Sequence, residues 1–465
     1  MSKLRKKPTA VIEDVAPRFE GFDLSENPFP PEPTVNKDSE DPRINGDIYE
    51  MALRQNEFEK IKANYLSASL GEPNHLRLCY IIDTSYIGRG NGKSAFLVNL
   101  QQAITREYAL DLSEGRNKCF AIYVSPESGG RTKSFSALLD LWFEAILRSR
   151  VIEESLASIR LTALNEVAPQ NPLNENDEDG YVMDCLRDKS WYEQNGIDLA
   201  KVREVMSRNR HLQELPPEFP LFREVRPSGL FHQFVTLEDF AQYYRDLARG
   251  RPRFDFLLTH MVHLFRAADF TGAFVLIDDF ERIPDFQTRR QMKDFALELR
   301  NALFDGSYLN SRIGFFNCFL VLHAGVPPLI SEAWAESGLE NRSPISQMTD
   351  RHVVPFEKLT RAHAELLLKK YLNQYRTRGS RLRGTEPFTP DAVSAIGEAS
   401  EFNAAKMLQL AYGLLEHAAD NDLKSVERTD VDDYRNKDSQ SVDSVEPTIT
   451  SAKTVDLMRK ASEGD

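Results

Sequence analysis

Three patterns follow one another closely between Leu78 and Ile104. Leu78-Cys79-Tyr80-Ile81-Ile82-Asp83 is a short apolar run of strand type. Tyr86-Ile87-Gly88-Arg89-Gly90-Asn91-Gly92-Lys93-Ser94 is a glycine-rich turn, and the residues from Ala95 to Ile104 have helical spacing. A strand that passes through glycines straight into a helix points to an α/β fold, in which strands and helices alternate and the sheet is parallel.

The turn also carries chemistry. Its glycines let successive backbone N–H groups converge on phosphate oxygens, Lys93 adds a point charge, and Ser94 offers a hydroxyl to Mg²⁺. Its place at a helix N-terminus favours an anion, because the dipole and the unpaired N–H groups point there. Gly88, Arg89, Gly90, Asn91, Gly92, Lys93, Ser94 and Ala95 are the expected phosphate-contacting residues. In the pattern G-x-x-x-x-G-K-S the first glycine falls on Ile87, with Gly88 one place later as a substitute.

Further strands are expected at Cys119-Phe120-Ala121-Ile122-Tyr123-Val124, Phe274-Val275-Leu276-Ile277, Phe319-Leu320-Val321-Leu322 and His352-Val353-Val354-Pro355-Phe356. Helical spacing is found at 48–66, 134–156, 256–268 and 286–303, and then at 361–372, 390–399 and 403–419. The expected organisation is an extended arm (1–50), a first part of the nucleotide-binding domain (51–156) and a helical insertion rich in Pro, Asn and acidic residues (157–253). A second part of the domain (254–358), a helical lid (359–420) and a polar, mobile tail (421–465) with a short helix near 455–461 complete it.

A hydrophobic share of 41% and a charged share of 28% over 465 residues describe a globular chain with ample core. No run reaches the about 18 apolar residues of a membrane span, and the start lacks a signal-peptide core, so a cytoplasmic protein without membrane contact is expected. The dispersed cysteines, Cys79, Cys119, Cys185 and Cys318, read as reduced core residues. A net charge of −13 argues against general coating of nucleic acid. Local basic clusters at Lys3 to Lys7 and at Arg376, Arg378, Arg381 and Arg383 keep DNA as a candidate partner.

The second chemical landmark is Val275-Leu276-Ile277-Asp278-Asp279-Phe280-Glu281, a buried strand ending in carboxylates, where open α/β sheets bind ligands. Phosphoryl transfer needs a cradle, a metal, an aligned water and positive charge. Lys93 is assigned to the β- and γ-phosphates, Ser94 and Asp278 to the metal, and Asp279 to the attacking water. His323 ends the strand expected beside that of Asp278 and is a candidate for the γ-phosphate or its water. Arg342 and Arg351 are candidates for an arginine that reaches a neighbouring subunit's nucleotide, which implies a homo-oligomer.

This order of features resembles the AAA+ ATPases, particularly their initiator and transposition-regulator branch. Gly90-Asn91-Gly92-Lys93-Ser94 and Val275 to Asp279 carry the likeness, with Asn27-Pro28-Phe29 and Val354-Pro355-Phe356-Glu357-Lys358-Leu359 as weaker echoes. The Asp-Asp-Phe-Glu ending is also similar to STAND and KAP signalling NTPases. The resemblance implies a five-stranded P-loop NTPase sheet of the ASCE type, ATP and Mg²⁺ as cofactors, and ATP-dependent assembly with hydrolysis as a switch. Two departures bear on turnover: the family usually has glutamate where this chain has Asp279, which passes weight to Glu281, and the lid arginine of the family falls at Ala405, beside Lys406.

Two readings follow. One is an ATP-hydrolysing switch or assembly factor whose insertion recognises a protein partner, in transposition, replication or antiphage defence. The other is a scaffold or signalling NTPase that binds ATP with little turnover. A small-molecule kinase is a third, weaker class, since the helices after the fifth strand have no place in it.

Overall fold

The computed structural model describes residues 18–72, 75–84, 90–174, 176–225, 233–345, 350–380 and 382–441, with side chains up to 436. They form two compact units: one takes the residues up to 55, 87–95 and 358 onward, the other 56–86 and 96–357.

The larger unit is built on five strands, β1 (Leu78–Asp83), β2 (Cys119–Val124), β3 (Gly272–Ile277), β4 (Phe316–His323) and β5 (Val353–Phe356). All pairs are parallel, and the order across the sheet is β2-β3-β4-β1-β5. The register sets Asp83 opposite both His323 and Phe356, and Val124 opposite Ile277, so the carboxyl ends share one edge. Every residue of β1, β3 and β4 is buried, as expected for a parallel sheet covered on both faces. β4 starts at Phe316, before the expected run, because Asn317 interrupts the apolar pattern. Its buried Nδ2 donates to the carbonyls of Ala273 (3.3 Å) and Phe315 (3.1 Å).

Aromatic side chains fill one face. Phe120 meets Phe265 and Phe270 edge-on at 4.9 and 5.2 Å, and Trp142 meets Phe316 at 5.0 Å. The buried phenol of Tyr80 accepts from Trp334 Nε1 at 2.9 Å and donates to the Ser343 carbonyl at 2.9 Å, so neither polar group is left without a partner.

The helix expected over 134–156 is two. Ser134 caps Phe135–Arg148, Arg150 adopts φ 62°, and Val151–Val167 follows at a new angle. Between 157 and 253 the elements include helices Asp179–Cys185, Leu199–Ser207 and Leu237–Asp246. A π-helical turn, Phe256–His260, joins Arg251–Asp255 to Met261–Ala267. All four cysteines are buried free thiols, and burial pushes Cys79 and Cys119 up to about 12, so both stay protonated.

The smaller unit holds helices Arg361–Gln374, Pro390–Ala399, Ala404–Asp420 and Arg428–Ser441. The last of these lies where a mobile tail is expected. Its composition is polar, but Val426 and Val431 sink into the lid core, and Val426 N–H and C=O bond Pro387 O and Thr389 N at 2.9 and 3.1 Å. The short helix expected near 455–461 falls outside the described residues. In the segment expected as an extended arm, Phe19, Phe22, Leu24 and Phe29 share one core with Leu368, Leu372, Ile396 and Leu415. Asn27 fixes it there, donating to Tyr412 O at 3.2 Å and to Glu416 Oε1 at 2.8 Å, while Phe29 stacks on Tyr371. No described helix is long and apolar enough to cross a membrane.

Candidate functional site

The carboxyl edge of the sheet gathers acidic groups from two strands. Asp83 ends β1, Asp278 follows β3, and both are almost fully buried. Asp278 N–H donates to Val124 O at 2.9 Å, which holds the residue in line with the strand, while its Oδ2 accepts from Tyr123 Oη at 2.7 Å. Burial and the neighbouring Asp278 carboxylate keep the Tyr123 phenol protonated, far above its ordinary range.

At Asp279 the chain turns off the sheet with φ 45° and ψ 45°, and its N–H returns to Asp278 Oδ1 at 2.9 Å. The turn sends the two following acids in different directions. Asp279 pairs with the Arg282 guanidinium, which also donates to Pro126 O at 3.2 Å. Glu281 is fully buried and stands 3.0 Å from His323 Nε2 at the end of β4. Asp278, Asp279, Glu281 and His323 are thus brought together at one edge.

Arg342 and Arg351 are not part of this group. Both are exposed, and their neighbours Ser343 Oγ and His352 Nδ1 lie 3.3 and 3.0 Å from Leu78 O, at the start of β1. The five residue steps of β1 from Leu78 to Asp83 put them about 17 Å from the carboxylates along the strand direction.

The loop residues are described from Gly90, and Gly88 and Arg89 lie outside the described residues. Gly90 and Gly92 take φ 104° and 84°, conformations that side chains rarely adopt, and Lys93 opens the helix Lys93–Thr105. Lys93 is buried, and Ser94 and Ala95 are half-buried. Within the smaller unit the loop is held at two points. The Ala405 N–H donates to Gly90 O at 2.9 Å, and buried Arg54 donates through Nη2 to Asn91 O and Oδ1 at 3.0 and 3.1 Å. Asn403 caps the lid helix, its Oδ1 accepting from Lys406 N–H at 3.1 Å.

Asp83, Tyr123, Arg282, Arg54 and Asn403 are the residues that sequence reasoning does not single out. Asp83 carries the same signal as Asp278, a carboxylate closing an apolar run. Arg54 and Asn403 lie far from the loop in sequence and give no such signal.

Among the described residues, no group of three or more His, Cys, Asp or Glu is placed to hold a metal unaided. The chain matches no family model, no curated protein and no solved structure, so its function has to be read from these two groups of residues.

Proposed function

We propose that this chain is an ATP-binding P-loop ATPase of the AAA+ type, working as a switch or assembly factor. The observation that carries this reading is the strand order of the larger unit: β1 precedes the Gly-Lys-Ser sequence in the chain, and Asp278 closes β3, with β4 inserted between these two strands. An inserted strand of this kind supports the ASCE type.

In this reading the backbone of Gly88 to Gly92 and the Lys93 ammonium bind the phosphates. Ser94 and Asp278 are the residues that would hold Mg²⁺, and the ion would supply positive charge for phosphoryl transfer. The water falls to Glu281. Asp279 is tied to Arg282, and a carboxylate that neutralises a guanidinium is a weak base. Glu281 stands beside the buried His323 ring at the end of β4. Arg342 and Arg351, at the opposite edge, are free to serve a second subunit's nucleotide rather than their own.

ATP titration and turnover of the full chain test this. Lys93→Ala should abolish binding. Glu281→Gln should retain binding and lose about 100-fold or more in kcat, whereas Asp279→Asn should lose much less. Equal losses in the two acidic variants would remove Glu281 from the role.

The second reading, a nucleotide-dependent scaffold with little turnover, is favoured by one contact: at the start of the lid helix a backbone N–H, not a cationic side chain, meets the loop at Gly90. Tight ATP binding lost in Lys93→Ala, with wild-type turnover absent under all conditions, would select it.

A further inference from the structure

The loop that follows helix Arg361–Gln374 in the lid encloses a cleft of about 420 Å³, lined by Arg376, Arg378, Arg383, Asn373, Thr377 and Ser380 together with a glycine. It stands out on a chain whose net charge is −13. Among the described residues, three guanidinium groups line it and no carboxylate does. Two of the three are held in place by the backbone. Arg376 donates to Phe22 O at 2.8 Å and to Glu386 O, and Arg383 Nη1 donates to Ser380 O and Leu382 O, both at 2.9 Å. Arg376 Nε is buried with no hydrogen-bond partner. Arg378 is exposed and makes no ion pair among the described residues. Asp23 lies behind the cleft, where its Oδ2 accepts from Ser380 Oγ at 2.9 Å.

We infer that this cleft binds the phosphodiester backbone of nucleic acid. Its donors are guanidinium and hydroxyl groups, the set that pairs with phosphate oxygens. It offers no aromatic side chain on which a base could stack, which excludes the usual single-strand platform and makes the contact independent of sequence. It also has no aliphatic side chain to enter a bilayer, and none of the large exposed hydrophobic residues lines it. The loop contributes position and affinity, and no base readout.

The test measures binding of a labelled random-sequence duplex to the full chain over a salt series. It compares the wild type with Arg378→Ser/Arg383→Ser and with Lys6→Ser/Lys7→Ser in the other basic cluster. ATP turnover serves as the folding control, since none of these residues belongs to the nucleotide machinery. The expected result is weaker binding in the arginine pair, with the log–log salt slope flattened by about 1 per arginine removed. Arg378→Lys should retain most of the affinity, because a point charge suffices for a phosphate. Three results would overturn the inference: no binding by the wild type, loss confined to the lysine pair, or capture by anionic phospholipid vesicles without binding to the duplex.

Discussion

Gly90 shows how little freedom the loop has at a single residue. A Cβ there would stand 2.7 Å from both Ala405 Cβ and Asn403 Oδ1, and φ is +104°. Gly90→Ala therefore combines backbone strain with a clash against the lid helix. ATP affinity should drop tenfold or more while the far-UV spectrum stays native, as a nucleotide titration would show. Arg54 acts on the same loop through two charged hydrogen bonds to Asn91. Each such bond contributes about 1.5–3 kcal/mol, so Arg54→Met should raise the Kd for ATP by about tenfold or more, and Arg54→Lys should recover only part of it. Lys93 and Asp278 are legible in the sequence because glycines and apolar runs flag them locally. Arg54 and Asn403 are not, because folding alone brings them to the loop.

At the scale of elements, the helical insertion is tied together by a pair that no periodicity reveals. Arg160, on helix Val151–Val167, donates through Nε and Nη2 to Glu224 Oε1 and Oε2 at 2.9 and 2.7 Å, and both side chains are buried. Val235 N–H adds a third bond to Glu224 at 3.1 Å, and Phe234 lies 4.8 Å from the Arg160 guanidinium. Removing one partner leaves a buried charge uncompensated, so Glu224→Ala should cost about 3–5 kcal/mol by denaturant titration. Replacing both, as Arg160→Met/Glu224→Met, should cost clearly less, which separates an uncompensated charge from a loss of packing. The elements themselves were largely readable: strands from apolar runs and lid helices from spacing. Breaks were not. The spacing over 134–156 continues through Arg150, where one left-handed residue redirects the chain. The helix after Arg428 was hidden because so few of its residues are apolar.

The whole molecule departs most from a linear reading. Sequence order suggests arm, domain, insertion, domain, lid and tail, whereas one compact unit collects the early residues, the loop and the lid from three separate stretches. Composition changes along the chain cannot show such an assembly, because the contacts that define it join residues several hundred positions apart, as between Asn27 and Glu416. The larger unit has a pH response of its own. His75, His211, His260, His263 and His352 all belong to it, and burial lowers the pKa of each. For His75, burial and then the Arg77 charge lower it from an ordinary 6.5 to about 4, and its Nδ1 accepts from Gly71 N–H at 3.0 Å as a neutral ring. A base whose pKa is depressed on folding takes up its proton more readily when unfolded. Its contribution is therefore complete above pH 6.5 and is lost as the pH falls towards 4. At pH 5 the loss for His75 alone is about 2 kcal/mol, before most carboxylates titrate. The urea midpoint should fall steadily between pH 7 and 5, and His75→Gln should flatten that decline while costing some stability at pH 7. A variant with the wild-type slope would show that His75 is not held neutral in the folded chain.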